Sequence, residues 1–230
     1  MERIVVGVDG FDELVDGGIP SGNTVLISGP AGSGKTIFSL EFIVKGAEKG
    51  EKGIYLSLEE SEENLVKICN QFGWDIKKYL DNDTVRILRY DPYRYENVME
   101  ILLTNLRELN AKRIVIDSVS AMNLYIQDIR EIRKTLVDIQ NLTNENKAVS
   151  FLVSEIPADN LRKISSYGVE EFVCDGIIVL YYLQAQTEFT RSMLVWKMRA
   201  SNHSRKIHPF KITNNGIKVY PREEAFVKIE

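Results

Sequence analysis

Residues 29–36 read Gly-Pro-Ala-Gly-Ser-Gly-Lys-Thr. The run Val25-Leu26-Ile27-Ser28 before them has the apolar character of a buried strand. Residues 36–49 after them set Phe38, Phe42 and Ile43 on one face of a helix that Gly50 stops. A GxxxxGK[ST] loop between a strand and a helix constrains the chain strongly. Its glycines let backbone N–H groups turn inward, and the helix start adds a positive partial charge. Together they form a cradle for a polyphosphate. Its residues are Gly29, Ala31, Gly32, Ser33, Gly34, Lys35 and Thr36. Lys35 can reach β- and γ-phosphates, and Thr36 offers its hydroxyl to Mg²⁺.

The rest of the chain repeats the strand–helix alternation. Strand-like runs at 53–58, 85–88, 114–117, 149–153 and 177–180 are separated by helical stripes. One stripe is Val98, Ile101, Leu102, Leu106 and Leu109; another is Ile129, Ile132, Leu136 and Ile139. Ser61 reads as a helix N-cap, with Glu62 and Glu63 suiting the positive end of the dipole. From Met193 onward the strands follow one another without helices. Residues 212–217, with Asn215-Gly216, predict a β-hairpin whose turn needs positive φ. The expectation is an α/β fold: a mainly parallel twisted sheet flanked by helices, with a C-terminal antiparallel hairpin. No repeat or Pro/Gly/Ser-rich linker divides the 230 residues, so 1–230 reads as one domain.

Composition narrows the classes further. Hydrophobic residues at 44% and charged residues at 27% are ordinary globular usage, which excludes collagen-like, coiled-coil and disordered chains. No run approaches the roughly 18 apolar residues of a membrane span. The opening MERIVVGVDGFDEL lacks the apolar stretch of a signal peptide, so a cytoplasmic chain is expected, with no membrane partner. Cys69 and Cys174 are far apart, and His203 and His208 lack an HExxH context, so no transition-metal site is expected. Net charge is −4, yet residues 189–222 contain no acid and carry +8, leaving −12 on the remainder. Such a stretch is either a solvated sheet edge or a surface that meets phosphate.

Acids at predicted strand ends decide what a phosphate cradle does. Ligands of doubly wound sheets sit at the carboxyl ends of strands. Glu59 and Glu60 follow the strand at 53–58, where a carboxylate could take a proton from a water attacking the γ-phosphate. They could equally join Glu62 and Glu63 as helix-start acids. Asp117 closes the strand Ile114-Val115-Ile116 and suits Mg²⁺, directly or through water; its plainer role is an N-cap. Ser154 and Glu155 end the strand at 149–153, where a polar sensor of the γ-phosphate could sit.

With these residues in view, the chain resembles the RecA-like ATPases and, within them, the KaiC-like group. GVDGFDELVDGGIPSGNTVLISGPAGSGKT resembles that group's entry motif and phosphate loop, LSLEES its paired-glutamate strand end, and RIVIDSVSA its metal-binding strand. YGVEEFVCDGIIVL and VWKMRASNHSRKIHPFKITNNGIKVYP resemble its last strands. The likeness runs from about Gly7 to Pro221. It implies a RecA-type core and a homo-oligomeric ring, usually a hexamer, with ATP and Mg²⁺ between subunits. Glu59 then resembles the catalytic base and Glu60 its acidic neighbour, the latter also a candidate metal ligand beside Thr36 and Asp117. Lys197 and Arg199 resemble the pair that reaches a neighbouring subunit's γ-phosphate. Met198, Ala200, Ser201, Asn202, His203 and Arg205 fall where the family lines the adenosine pocket across the interface.

The activity implied is an ATP-hydrolysing switch or slow motor that answers to a regulatory protein partner. A recombinase-like DNA-binding ATPase is one alternative. The segments expected to face a central pore, 124–133 and 157–167, hold Arg130, Arg133, Arg162 and Lys163, but Asp128, Glu131 and Asp159 offset them, so nucleic acid is not favoured. An ATP-dependent autokinase is another. The group's clock members phosphorylate an adjacent Ser and Thr; Glu171 and Phe172 match those positions and cannot accept phosphate, although Ser165, Ser166 and Tyr167 lie just upstream. A small-molecule kinase would need an arginine-rich lid, and none is evident.

Overall fold

The computed structural model describes residues 1–90, 98–124, 126–157, 163–185 and 188–225. Arg162 and Asp159 of the expected pore segments lie outside them.

The chain opens with two short strands that pair with each other, β1 (Arg3–Ile4) and β2 (Ile19–Pro20). Strand β3 (Thr24–Gly29) leads through the glycine loop into α1 (Lys35–Ala47). Then come β4 (Gly53–Ser57), α2 (Glu62–Gln71), α3 (Ile76–Asp81), β5 (Val85–Arg89), α4 (Val98–Leu109) and β6 (Arg113–Asp117). Helix α5 (Ile129–Glu145), β7 (Val149–Glu155) and the short α6 (Glu170–Val173) follow. Four strands end the chain: β8 (Gly176–Ala185), β9 (Glu188–Met198), β10 (Ile207–Thr213) and β11 (Gly216–Val219).

Nine strands form one sheet in the order β11-β10-β9-β8-β3-β7-β6-β4-β5. It is parallel from β5 to β8 and antiparallel from β8 to β11. The central strands are apolar on both faces because helices cover both. Val25 and Ile27 of β3 face the α1 side with Phe38, Phe42 and Phe151, whereas Leu26 faces the α4–α5 side with Leu106, Leu136 and Leu152. Because β7 and β6 lie between β3 and β4, the carboxyl ends of four strands open into one crevice, and α1 starts there.

The predicted helices and central strands are present to within a few residues, and Ser61 caps α2 by accepting the Asn64 N–H at 3.3 Å. The antiparallel edge is larger than expected. β8 and β9 cover 176–185 and 188–198, far beyond the predicted 177–180. The apolar run Ile177–Tyr181 of β8 is buried beside β3, and the strand then continues into the partly exposed Tyr182 and Leu183 and the exposed Gln184, which pair with the start of β9. The hairpin at 212–217 forms, but its turn is Asn214-Asn215. The positive φ (+123°) belongs to Gly216, where a Cβ would lie 2.7 Å from Glu41 Oε1 and from Trp74 Cζ2. No described helix is long and apolar enough to cross a membrane.

Candidate active site

A cleft of about 490 Å³ lies at the carboxyl ends of β3, β4, β6 and β7. It is lined by Ala31, Gly32, Gly34, Lys35 and Thr36 from the loop, by Glu59, Glu60, Asp117 and Glu155 from the strand ends, and by Ile37, Arg191 and Ile212. Gly32 (φ +77°) and Gly34 (φ +102°) hold the left-handed conformations that turn the loop back on itself. Among the described residues, no acceptor is found for the N–H groups of Gly32, Gly34, Lys35 and Thr36. Unpaired donors at a helix start next to a lysine form the cradle a polyphosphate needs. Gly29 and Ser33 lie beneath it. Both are buried, and Ser33 Oγ has no partner among the described residues. A side chain at position 29 would meet Leu180 O and Ser33 Oγ, so the loop's first glycine is required by packing.

Lys35 is 6% exposed; its Nζ donates to Pro30 O at 3.0 Å and lies 3.6 Å from Glu155 Oε1. Burial lowers its pKa, against the opposing pull of Glu155, Asp117 and Glu59. Asp117 Oδ2 accepts the hydroxyls of Thr36 at 3.0 Å and Tyr55 at 2.6 Å. Burial raises the Asp117 pKa above the ordinary carboxylate value, and the Tyr55 and Thr36 hydrogen bonds oppose the rise. Burial, with Asp117 adjacent, raises the Tyr55 phenol well above its ordinary value.

The two glutamates separate. Glu59 turns toward β6, where it accepts the Ser118 hydroxyl at 2.9 Å, and partial burial raises its pKa. Glu60 turns back along α2 and accepts Asn64 Nδ2 at 3.0 Å, a helix-start arrangement, while still lining the cleft. On the end of β7, alternation sends the two predicted sensor residues to opposite faces. Glu155 enters the cleft; Ser154 is buried on the other side, within reach of Ser166 Oγ (3.2 Å) and Glu170 (3.4 Å). Of the hydroxyls just upstream of the phosphoacceptor-matched positions, Ser165 is buried against Glu171; Phe172, at the second matched position, is 67% exposed.

None of Lys197, Met198, Arg199 or residues 200–205 lines this cleft. Lys197 Nζ donates to Glu171 O at 2.9 Å and Cys174 O at 2.6 Å; burial, then the nearby Arg199, lowers its pKa. Ile177 pairs with Lys197 but Ile178 with Val195, so Trp196 is the extra residue of a β-bulge. Arg199 forms an ion pair with Asp175 at 3.0 Å and is half exposed. The Met198 side chain is buried against Gly176. Ala200 (φ +57°) begins a turn in which Ser201 Oγ binds Val15 O and Arg3, His203 Nδ1 lies 2.9 Å from Ser204 O, and Asn202 and Arg205 are exposed.

Three residues of the site escape the motifs. Arg191 spans the loop: its Nε and an Nη donate to Gly32 O at 3.1 and 3.0 Å, and its guanidinium stacks 4.3 Å above the Tyr182 ring. Its place in the acid-free stretch is the one signal the sequence carries. From sequence Ile212 reads only as part of the hairpin and Tyr55 only as part of the strand at 53–58. Among the described residues no group of three or more His, Cys, Asp or Glu could hold a metal by itself. Thr36 and Asp117 present oxygens side by side at the cleft, and oxygen donors of this kind suit Mg²⁺, whose shell phosphate oxygens and water would complete.

A phosphate cradle on a sheet that is parallel at its centre and antiparallel at one edge, facing an acid two strands away, defines a P-loop protein with a RecA-like core. The chain matches the family model "ATPase: KaiC" over residues 4–224 and belongs to that family. It is 37% identical to a UPF0273 protein of Pyrococcus furiosus over 96% of this chain and 95% of that one. It is 31% identical to the circadian clock oscillator protein KaiC of Parathermosynechococcus lividus, over 94% of this chain but 42% of the relative. The crystal structure of a KaiC-like protein from Pyrococcus horikoshii OT3 superposes with a TM-score of 0.87 at 39% identity, covering 96% of this chain and 99% of that one.

Proposed function

We propose that the chain binds Mg-ATP and hydrolyses it slowly, in a ring of identical subunits read as a hexamer, with each ATP shared by two copies. The observation that carries this reading is the meeting, in one cleft, of the unpaired loop N–H groups, Lys35, the Thr36–Asp117 pair and the Glu59 carboxylate. The loop N–H groups and Lys35 bind the β- and γ-phosphates. Thr36 and Asp117, with Glu60 as a further candidate, hold Mg²⁺, which when bound neutralises phosphate charge. Glu59 takes the proton of the attacking water; its tie to Ser118 fixes where its free oxygen points. Lys197 and Arg199 lie level with the start of β8 and of β3, at the end of the sheet opposite their own cleft. They supply positive charge to the γ-phosphate of the next copy, beside an adenosine surface made of Met198, Ala200, Ser201, Asn202, His203 and Arg205.

Residues 1–230 act as one such domain, working in the cytoplasm as a switch under a regulatory protein partner. DNA binding is the weaker reading: Arg130 and Arg133 share α5 with Glu131 and its cap Asp128. The test is calorimetry with Mg-ATP. Micromolar or tighter binding is expected for the native chain and a loss of at least tenfold for Lys35→Ala. Equal affinity in the two would overturn the assignment of the cradle.

A further inference from the structure

Tyr55 lies in the middle of β4, and its ring packs in the core on the α1 side of the sheet. It is fully buried, and a phenylalanine there would fill the same space without carrying a hydroxyl out of water. A buried hydroxyl left without a partner costs about 1–3 kcal/mol, so where its one proton goes is informative. It goes to Asp117 Oδ2, at 2.6 Å. Strands β4 and β6 are parallel neighbours with Tyr55 level with Val115, so the phenol reaches forward along the sheet to the acid two residues further on. The same oxygen takes the Thr36 hydroxyl at 3.0 Å. Asp117 Oδ1 accepts no hydrogen bond among the described residues, on a side chain that lines the cleft.

From this geometry we infer that Tyr55 is a positioning residue for the metal site. Its hydroxyl pins one oxygen of Asp117 and thereby presents the other to the cation. This rests on the Mg-ATP reading above and names a residue outside the nucleotide motifs. Thr36 can give its proton to Asp117 and still offer a lone pair to a cation, so it is itself a candidate ligand. Tyr55 is held by a packed ring, which keeps its hydroxyl oxygen beside the acid. Groups that orient metal ligands in this way typically change metal affinity 10- to 100-fold when removed.

The experiment separates metal from nucleotide, using ADP and Mn²⁺ as probes on the full chain. ADP affinity is measured in EDTA, and Mn²⁺ affinity of the ADP complex is then read by electron paramagnetic resonance. Tyr55→Phe is expected to leave metal-free ADP binding within twofold of the native chain and to weaken Mn²⁺ about tenfold or more. A purely structural role for Tyr55 would lower both together or neither, and either result overturns the inference. Tyr55→Met, which also fills the space without a donor, repeats the test should Tyr55→Phe not fold. A native chain that binds ADP neither with nor without Mn²⁺ would instead overturn the Mg-ATP reading, and the role of Tyr55 with it.

Discussion

Glu41 is a carboxylate in a place that packing would suit to an apolar side chain. It lies on α1, 3% exposed, and accepts the Ile217 N–H at 2.8 Å where the β10–β11 hairpin meets the helix. Burial pushes its pKa up to about 7; the Ile217 bond and Lys45 oppose this, and Asp9 and Glu48 add to it. The carboxyl is therefore protonated in the folded chain at a pH where the unfolded chain, near the ordinary 4.5, is ionised. A folded pKa above the unfolded one means that stability is fully present below about pH 4.5 and is lost as pH rises through about 7. The gap corresponds to about 3 kcal/mol. Glu41→Gln keeps an acceptor for Ile217 and removes the charge. Its urea-unfolding stability should exceed that of the native chain at pH 8.5 by about 2–3 kcal/mol, with the difference shrinking toward pH 5. An equal offset at both pH values would show that Glu41 does not titrate in this window.

The chemistry of Glu59 is read on the same scale. Glu59→Gln preserves shape and the Ser118 bond but cannot accept a proton, so ATP should still bind while turnover falls about 100-fold or more. Since partial burial raises the Glu59 pKa, native turnover should still be rising with pH above the ordinary glutamate value of 4.5, as the base ionises. If Glu60→Gln abolishes turnover and Glu59→Gln does not, the roles of the pair are exchanged.

Among the elements, one buried cation ties the N-terminal segment to the sheet. Arg113 opens β6 with no exposure; it pairs with Glu51 at 2.6 Å and donates to Val5 O, Val6 O and Phe42 O at 2.7, 3.2 and 2.7 Å. Gly46 makes room for it, since a Cβ there would meet the guanidinium. Arg113→Ala strands those acceptors and should cost about 3–5 kcal/mol in urea unfolding, with faster hydrogen exchange through residues 3–8. A cost below about 1 kcal/mol would mean that water replaces the guanidinium. Nothing in the sequence around Arg113 announces this, because its partners come from three distant segments. The same reason hid Tyr55, which looks like any core aromatic until β6 is set beside β4. What the sequence did make legible was local: the glycine loop, the helical stripes, the N-cap at Ser61 and the existence of a hairpin at 212–217 each show within a few residues, although the hairpin's turn falls on Asn214-Asn215 rather than on Asn215-Gly216. Strands β1 and β2, at two residues each, are too short to show a period. The sequence placed Glu59 and Glu60 together, and only the turn after β4 separates their directions.

Over the whole molecule, the cradle and the Lys197–Arg199 pair lie apart, so the proposed chemistry needs a second copy. ATP that contacts two subunits should favour assembly by its differential affinity for the assembled state. Arg199→Ala loses an ion pair whose guanidinium is half exposed, while the mostly buried Asp175 keeps its bonds from the Thr24 N–H (3.1 Å) and Gln140 Nε2 (3.1 Å), so the fold and the cradle should remain. Turnover should nevertheless fall roughly 10³-fold, the scale of an arginine finger. Mixing the variants tests whether the site is shared. Arg199→Ala subunits keep the base and lack the finger; Glu59→Gln subunits have the reverse. Each is nearly inactive alone, but in a mixed ring some interfaces join an intact Glu59 to a neighbour's intact Arg199. With random placement about a quarter of interfaces would do so, and activity should return toward that fraction of the native rate. Native mass spectrometry reports whether subunits have exchanged. Exchange without recovery of activity would count against a shared site, and a chain that stays monomeric with ATP yet hydrolyses it would count against the ring.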